Sequence, residues 1–163
     1  MSLIKINDIE YDTHKQEDRR KVGKIYEDIF YKYLIKYDRR FKHMSIKDPY
    51  GPYDFIKNIN DNLIIIELKT RIKKLSHHSI ELLDYNKIEN YKKIQKKHPK
   101  SKFIFVFNHI DTDNDNYNQY YFYEVNFLFL ENNIFIDNIF GKKTYELPIK
   151  YLNKLDDYLE ILK

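Results

Sequence analysis

The residues best placed to do chemistry are Glu67 and Lys69, two apart at the end of the apolar run Leu63-Ile64-Ile65-Ile66. On a strand, residues two apart point to the same face, so this spacing projects a carboxylate and an ammonium together from a segment expected to be buried. Burying two charges is costly unless they pair with each other or with a metal. The tripeptide alone reads as a salt bridge at a strand end. Random placement of this many acids and lysines would give about four acid-x-Lys triplets. The chain has this one, in its most strand-like stretch. Asp54 precedes a second short strand, and a hairpin closing through residues 58–62 would bring it towards Glu67, although an Asp there also serves simply to cap a turn. Two carboxylates with a backbone carbonyl and water make a hard oxygen site suited to Mg²⁺.

Elements must hold these groups in place. Residues 1–15 are polar without clear period and are expected to be a mobile lead-in. Over 16–37, Val22, Ile25, Tyr26, Ile29, Tyr33 and Tyr37 follow the spacing of an amphipathic helix. Glu27 stands beside that stripe, and taken alone it is a solvated helix residue. Gly23, one turn earlier, costs about 1 kcal/mol relative to Ala inside a helix, which in a Gly-poor chain suggests close packing there or the approach of another backbone. Residues 41–46 read as a short strand, Asp48-Pro49-Tyr50-Gly51-Pro52 as a dense turn, 53–57 as a strand and 63–70 as a strand buried on both faces. A helix over 84–97, strands over 102–109 and 119–125, and a polar connection over 111–118 follow. The apolar stretch 127–140 is open between strand and loop, and fits a core strand or a dimer surface. Pro148 marks a helix start, with Leu152, Leu155, Leu159 and Leu162 on one face of a helix over 149–162. The whole, 1–163, reads as one α/β domain with its core over 16–126.

Composition excludes several classes. The 163-residue chain has no cysteine, hence no disulfide framework, thiolate zinc site or cysteine nucleophile. Its net charge of +4 permits an anionic partner without demanding one. No apolar run approaches a membrane span, the N-terminus lacks signal-peptide features, and an intracellular location is expected. The abundance of Tyr, Phe, Lys, Asn and Ile fits an A/T-rich coding sequence, of viral or phage kind, so the tyrosines are not read as a base-stacking surface. Asp111-Thr112-Asp113-Asn114-Asp115 opens like a calcium loop, but its twelfth position is Phe122. The histidines lack zinc spacing, and the absence of a P-loop argues against a nucleotide cofactor.

In order and spacing, Gly23 to Glu27 on a helix, Pro52-Tyr53-Asp54 at a strand start, Glu67-Leu68-Lys69 on the next strand, then a helix and a strand, resemble the PD-(D/E)XK nuclease superfamily. The resemblance covers residues 16–110 and departs where Tyr53 separates Pro52 from Asp54. It implies a restriction-endonuclease-like αβββαβ core with a mixed central sheet flanked by helices, and metal-dependent hydrolysis of DNA phosphodiesters of restriction, repair or junction-resolving type. Asp54 and Glu67 would be Mg²⁺ ligands (Mn²⁺ a substitute) with the Leu68 carbonyl as a third. Glu27 would serve a second metal, and Lys69 would orient or help deprotonate the attacking water. Thr70, Arg71, Lys73, Lys74, His77 and His78 follow the site directly and read equally as phosphate contacts or a solvated basic loop; Lys87 joins the DNA-contacting set. Paired cuts would call for a homodimer. Two other readings stay open: a catalytically inactive nucleic-acid-binding module on the same scaffold, and a structural domain in which Glu67 and Lys69 are an ordinary ion pair.

Overall fold

A computed structural model of the chain describes residues 3–44, 53–72, 79–114 and 117–155. The expected lead-in is instead an antiparallel hairpin, β1 (Leu3–Ile6) and β2 (Ile9–Asp12), turning through Asn7 and Asp8 at φ of 51° and 64°. Asn and Asp tolerate that left-handed geometry, and Ile4 anchors the hairpin against Val22 and Tyr26 of the next helix. Helix α1 (Gln16–Tyr37) follows the predicted bounds and buries Val22, Tyr26, Phe30 and Leu34.

The central sheet has the order β11 (Asn153–Lys154), β8 (Tyr117–Glu124), β7 (Lys102–Asp111), β5 (Asn62–Arg71), β4 (Phe55–Ile59), β3 (Lys42–His43). Strand β3 (Lys42–His43) pairs antiparallel with β4 (Phe55–Ile59), and β4 with β5 (Asn62–Arg71). The β4–β5 turn is Asn60-Asp61, again with φ > 0 at both residues, the geometry a two-residue hairpin requires. Strand β7 (Lys102–Asp111) runs parallel to β5, and β8 (Tyr117–Glu124) antiparallel to β7. The sheet is therefore mixed, and α1-β3-β4-β5-α2-β7 has the expected αβββαβ order, with α2 at Tyr85–Lys97.

Alternation along the strands gives each face its own core. Ile66, Leu68, Ile104 and Val106 pack with Phe30 and Leu34 under α1, while Ile65, Phe103, Phe105 and Phe107 pack with Ile88 and Tyr91 of α2. On the α1 face Lys57 is fully buried, its ammonium 2.8 Å from Asp38 Oδ2 at the end of α1 and 4.9 Å from the centre of the Phe41 ring.

Several expectations fail. Strand β6 (Ile80–Asp84) follows β5, and it pairs with β10 (Lys142–Pro148) in a second sheet of order β6-β10-β9 beyond α2. The stretch 127–140 is neither one strand nor one loop: it forms α3 (Phe127–Asn133), capped by Asn126, and β9 (Ile136–Ile139). Leu130 is buried while Leu128, Phe135 and Phe140 are exposed. No helix begins at Pro148. A single 3₁₀ turn over Ile149–Tyr151 passes into β11 (Asn153–Lys154), because those residues add an edge strand to β8; residues 156–163 of the expected helix lie outside the described residues. So do the 48–52 turn, Lys73, Lys74, His77 and His78. No helix among the described residues is long and apolar enough to cross a membrane.

Candidate active site

The Asn60-Asp61 turn sets the register that pairs Phe55 with Ile66; one step further along, Asp54 stands opposite Glu67. A one-residue slip would send Asp54 to the other face. Two bonds fix the position: the Asp54 N–H donates to the Ile66 carbonyl at 3.2 Å, and Asp54 Oδ2 accepts from the Leu68 N–H at 2.8 Å.

Glu67 is 3% exposed. Its Oε1 accepts from Lys69 Nζ at 2.8 Å and from Lys87 Nζ. Its Oε2 is buried and has no hydrogen-bond partner among the described residues. Lys87 reaches it because Asp84 caps α2, accepting from the N–H groups of Asn86 and Lys87 at 2.8 and 3.2 Å, so the helix starts with its first turn over the acids. Lys87, expected among the DNA contacts, thus has its ammonium on Glu67 within the acid cluster.

The electrostatics follow from this crowding. Burial first, then the charges of Glu67 and Glu27, push the Asp54 carboxyl up to about 7, against the opposing Leu68 N–H and the Lys87 charge. Burial likewise raises the Tyr91 hydroxyl, with Glu67 and Asp54 adding to the rise. Tyr91, which periodicity marks only as a core residue, is therefore a neighbour of both acids.

Glu27 comes from α1, on the other face of the sheet. Its Oε2 lies 3.4 Å from Nε2 of His43, a buried ring on β3. It is near enough to act on Asp54, yet among the described residues no three His, Asp or Glu side chains form a group that could hold a metal. Asp54 and Glu67 do suit one: both are hard oxygen donors, Glu67 has a buried oxygen unpartnered among the described residues, and burial and the neighbouring acid charges hold Asp54 above its ordinary ionisation. Gly23 is not packed tightly as expected; a Cβ there would meet nothing within 4 Å. It borders an open cavity of about 600 Å³ between α1 and the end of β5, shared with Glu27, Leu68, Lys69, Thr70 and Arg71.

Arg71 is tied to a second buried cluster that the sequence reading missed. Its Nε donates to Glu81 Oε2 at 3.0 Å, and Glu81 Oε1 is 2.8 Å from Nε2 of His109. Burial works to raise the Glu81 carboxyl, but His109 and Arg71 together outweigh it and hold it below its ordinary value. The alternation in Ile80-Glu81-Leu82-Leu83 was the available signal for β6. Nothing local in the sequence points from Glu81 to His109.

No family model matches the chain, and no curated protein does. Among solved structures the chain is similar to D212, a nuclease from a fusselovirus, at 21% identity over 75% of this chain and 73% of that one, with a TM-score of 0.45. It is also similar to Hjc, a Holliday junction resolvase from the archaeal hyperthermophile Archaeoglobus fulgidus, at 10% identity over 85% of this chain and 98% of that one, with a TM-score of 0.48.

Proposed function

We propose that the chain is a metal-dependent DNA endonuclease of the PD-(D/E)XK kind. The observation that carries this reading is two carboxylates side by side, Asp54 half-buried and raised to about 7 by burial and then by the Glu67 charge, Glu67 buried with an oxygen that has no partner among the described residues. Such an arrangement opposes folding and is retained most economically where a cation completes it.

Asp54 and Glu67 would hold Mg²⁺, or Mn²⁺ in its place, with the Leu68 carbonyl as a further donor; Glu27 would serve a second ion directly or through water. When bound, such an ion offsets phosphate charge and acidifies a water. The chain's own residues do the rest. The Leu68 N–H fixes the Asp54 carboxylate. Lys69, partly exposed at the mouth of the site, is a compact three-donor cation that orients the attacking water and meets charge developing on phosphorus. The water oxygen bonds to phosphorus as the bond to the departing strand end breaks. The water's proton passes to solvent and the departing oxygen is protonated in turn. Paired cuts would require two copies of the chain.

The test is cleavage of duplex, single-stranded and four-way-junction DNA with Mg²⁺ or with EDTA, using wild type, Asp54→Ala and Lys69→Ala. Metal-dependent cleavage by wild type, falling at least ~10²-fold in each variant, is expected; equal cleavage by all three proteins overturns the reading. A second reading, a nucleic-acid-binding module without turnover, is favoured by the two lysines already on Glu67 and by the lack of a three-residue metal group among the described residues. It predicts DNA binding indifferent to EDTA and no cleavage of any substrate.

A further inference from the structure

The cavity of about 600 Å³ beside the acids has chemistry that hydrolysis at Asp54 and Glu67 does not use. It shares Glu27 and Lys69 with the candidate site but extends away from it, between the first turns of α1 and the end of β5. Two arginines are among the residues that line it. Arg19 is exposed on α1 and has no side-chain partner among the described residues. Among the described residues Arg71 is bound through Nε alone, to Glu81, which leaves its terminal amino groups to a ligand.

The hold on Arg71 is built from the interior. Glu81 is 1% and His109 fully buried, 2.8 Å apart, and a long side chain anchored this way loses little further freedom when it grips an anion. The wall opposite is bare at Gly23, where an added Cβ would meet nothing within 4 Å. A roomy cavity, forked cations free to make paired hydrogen bonds, and a junction with the candidate site select a tetrahedral oxyanion in a chain of them.

We propose that this cavity is a phosphate-binding subsite for the nucleic-acid strand flanking the cleaved bond, gripped by Arg19 and Arg71, with Glu81 and His109 as positioning residues for Arg71. The inference rests on the nuclease reading for its choice of strand, and its test is separable from that reading. Binding of a fluorescein-labelled oligonucleotide is measured by anisotropy in EDTA, where no cleavage intervenes, across a salt series and with inorganic phosphate as competitor.

Arg19→Ala, at an exposed position where folding is not at risk, is expected to weaken binding about tenfold and to lower the salt slope by about one. Arg71→Gln should act alike. The loss from Glu81→Gln should vanish in the Arg71→Gln background, which a merely structural role would not produce. Inorganic phosphate competing as well as unlabelled oligonucleotide would overturn the strand assignment. Unchanged binding in Arg19→Ala, alongside metal-dependent cleavage by wild type, overturns the subsite and leaves the nuclease reading standing. Arginine-dependent binding with no cleavage of any DNA by wild type upholds the subsite and overturns the nuclease reading.

Discussion

Asp54 accepts a hydrogen bond from the main-chain N–H of Leu68 at 2.8 Å, so the residue that closes the acid pair also braces the strand that carries Glu67 and Lys69. The brace and the charge act in opposite directions on Asp54: the hydrogen bond favours the carboxylate, while burial and the neighbouring acids favour the carboxylic acid and prevail.

That balance makes stability depend on pH with a definite sign. The folded chain holds the Asp54 proton up to about 7, whereas an ordinary aspartate releases it near 3.8. Between those values the folded state binds more protons than the unfolded one, so this contribution is complete below pH 4 and lost as pH rises through 7. Asp54→Asn keeps an oxygen for the Leu68 N–H and removes the charge. In EDTA the variant should match wild type near pH 3.5 and exceed it at pH 8 by at least 1 kcal/mol. Urea midpoints across that range check this; parallel curves for the two proteins would refute it.

How far this arrangement could be read from residues alone depends on which contacts are local. The α1 bounds, β5, α2 and β7 follow from periodicity, and the opposition of Asp54 to Glu67 follows from a hairpin whose turn residues, Asn60 and Asp61, are visible in the sequence. Strand β6 and its partner β10 are separated by about sixty residues, and neither forms a hairpin with the other, so no turn signals their pairing. The same holds for Lys87 on Glu67 and for His109 beside Glu81: each joins elements whose relative placement is set by packing, not by spacing. Pro148 misled because proline starts a helix and ends a strand equally well, and β10 ends on it.

Gly23 offers a test on α1. It lies in the helix interior, and an added methyl would meet open space. Gly23→Ala should therefore stabilise the chain by about 1 kcal/mol through helix propensity alone, read as a raised urea midpoint with an unchanged slope. A loss of stability would mean that the backbone there needs glycine's freedom.

The buried Lys57 makes an asymmetric prediction. Its ammonium has Asp38 at 2.8 Å, and Asp38 is also held by Arg40, whose guanidinium donates to both carboxylate oxygens. The Arg40 bonds first, with Lys57 after them and against some burial, keep the Asp38 carboxyl well below the ordinary range. Lys57→Met leaves Asp38 paired with Arg40, whereas Asp38→Ala takes the paired carboxylate away from a buried ammonium. The second should cost on the order of 3 kcal/mol and the first distinctly less. Urea unfolding of the two variants at pH 7 decides it, and equal losses would contradict the assignment.

Lys87 tests whether the lysines on Glu67 compete with a divalent ion or prepare its site. Lys69 and Lys87 both donate to Glu67 Oε1, so an ion taken up at the opposite oxygen, Oε2, draws on a carboxylate charge that they already share. Lys87→Gln withdraws one competing charge and leaves Lys69, the residue assigned to the attacking water, untouched. The same substitution removes the charge that lowers the Asp54 carboxyl, which would tighten its hold on a proton and oppose metal binding near neutrality. The comparison therefore belongs at pH 8.5, where Asp54 is ionised. There, Mn²⁺ titrated by calorimetry should bind the variant roughly three- to tenfold more tightly than wild type, the effect of about 1 kcal/mol of relieved competition. A weaker affinity would mean that Lys87 orients Glu67 for the ion, and the competition argument would be abandoned.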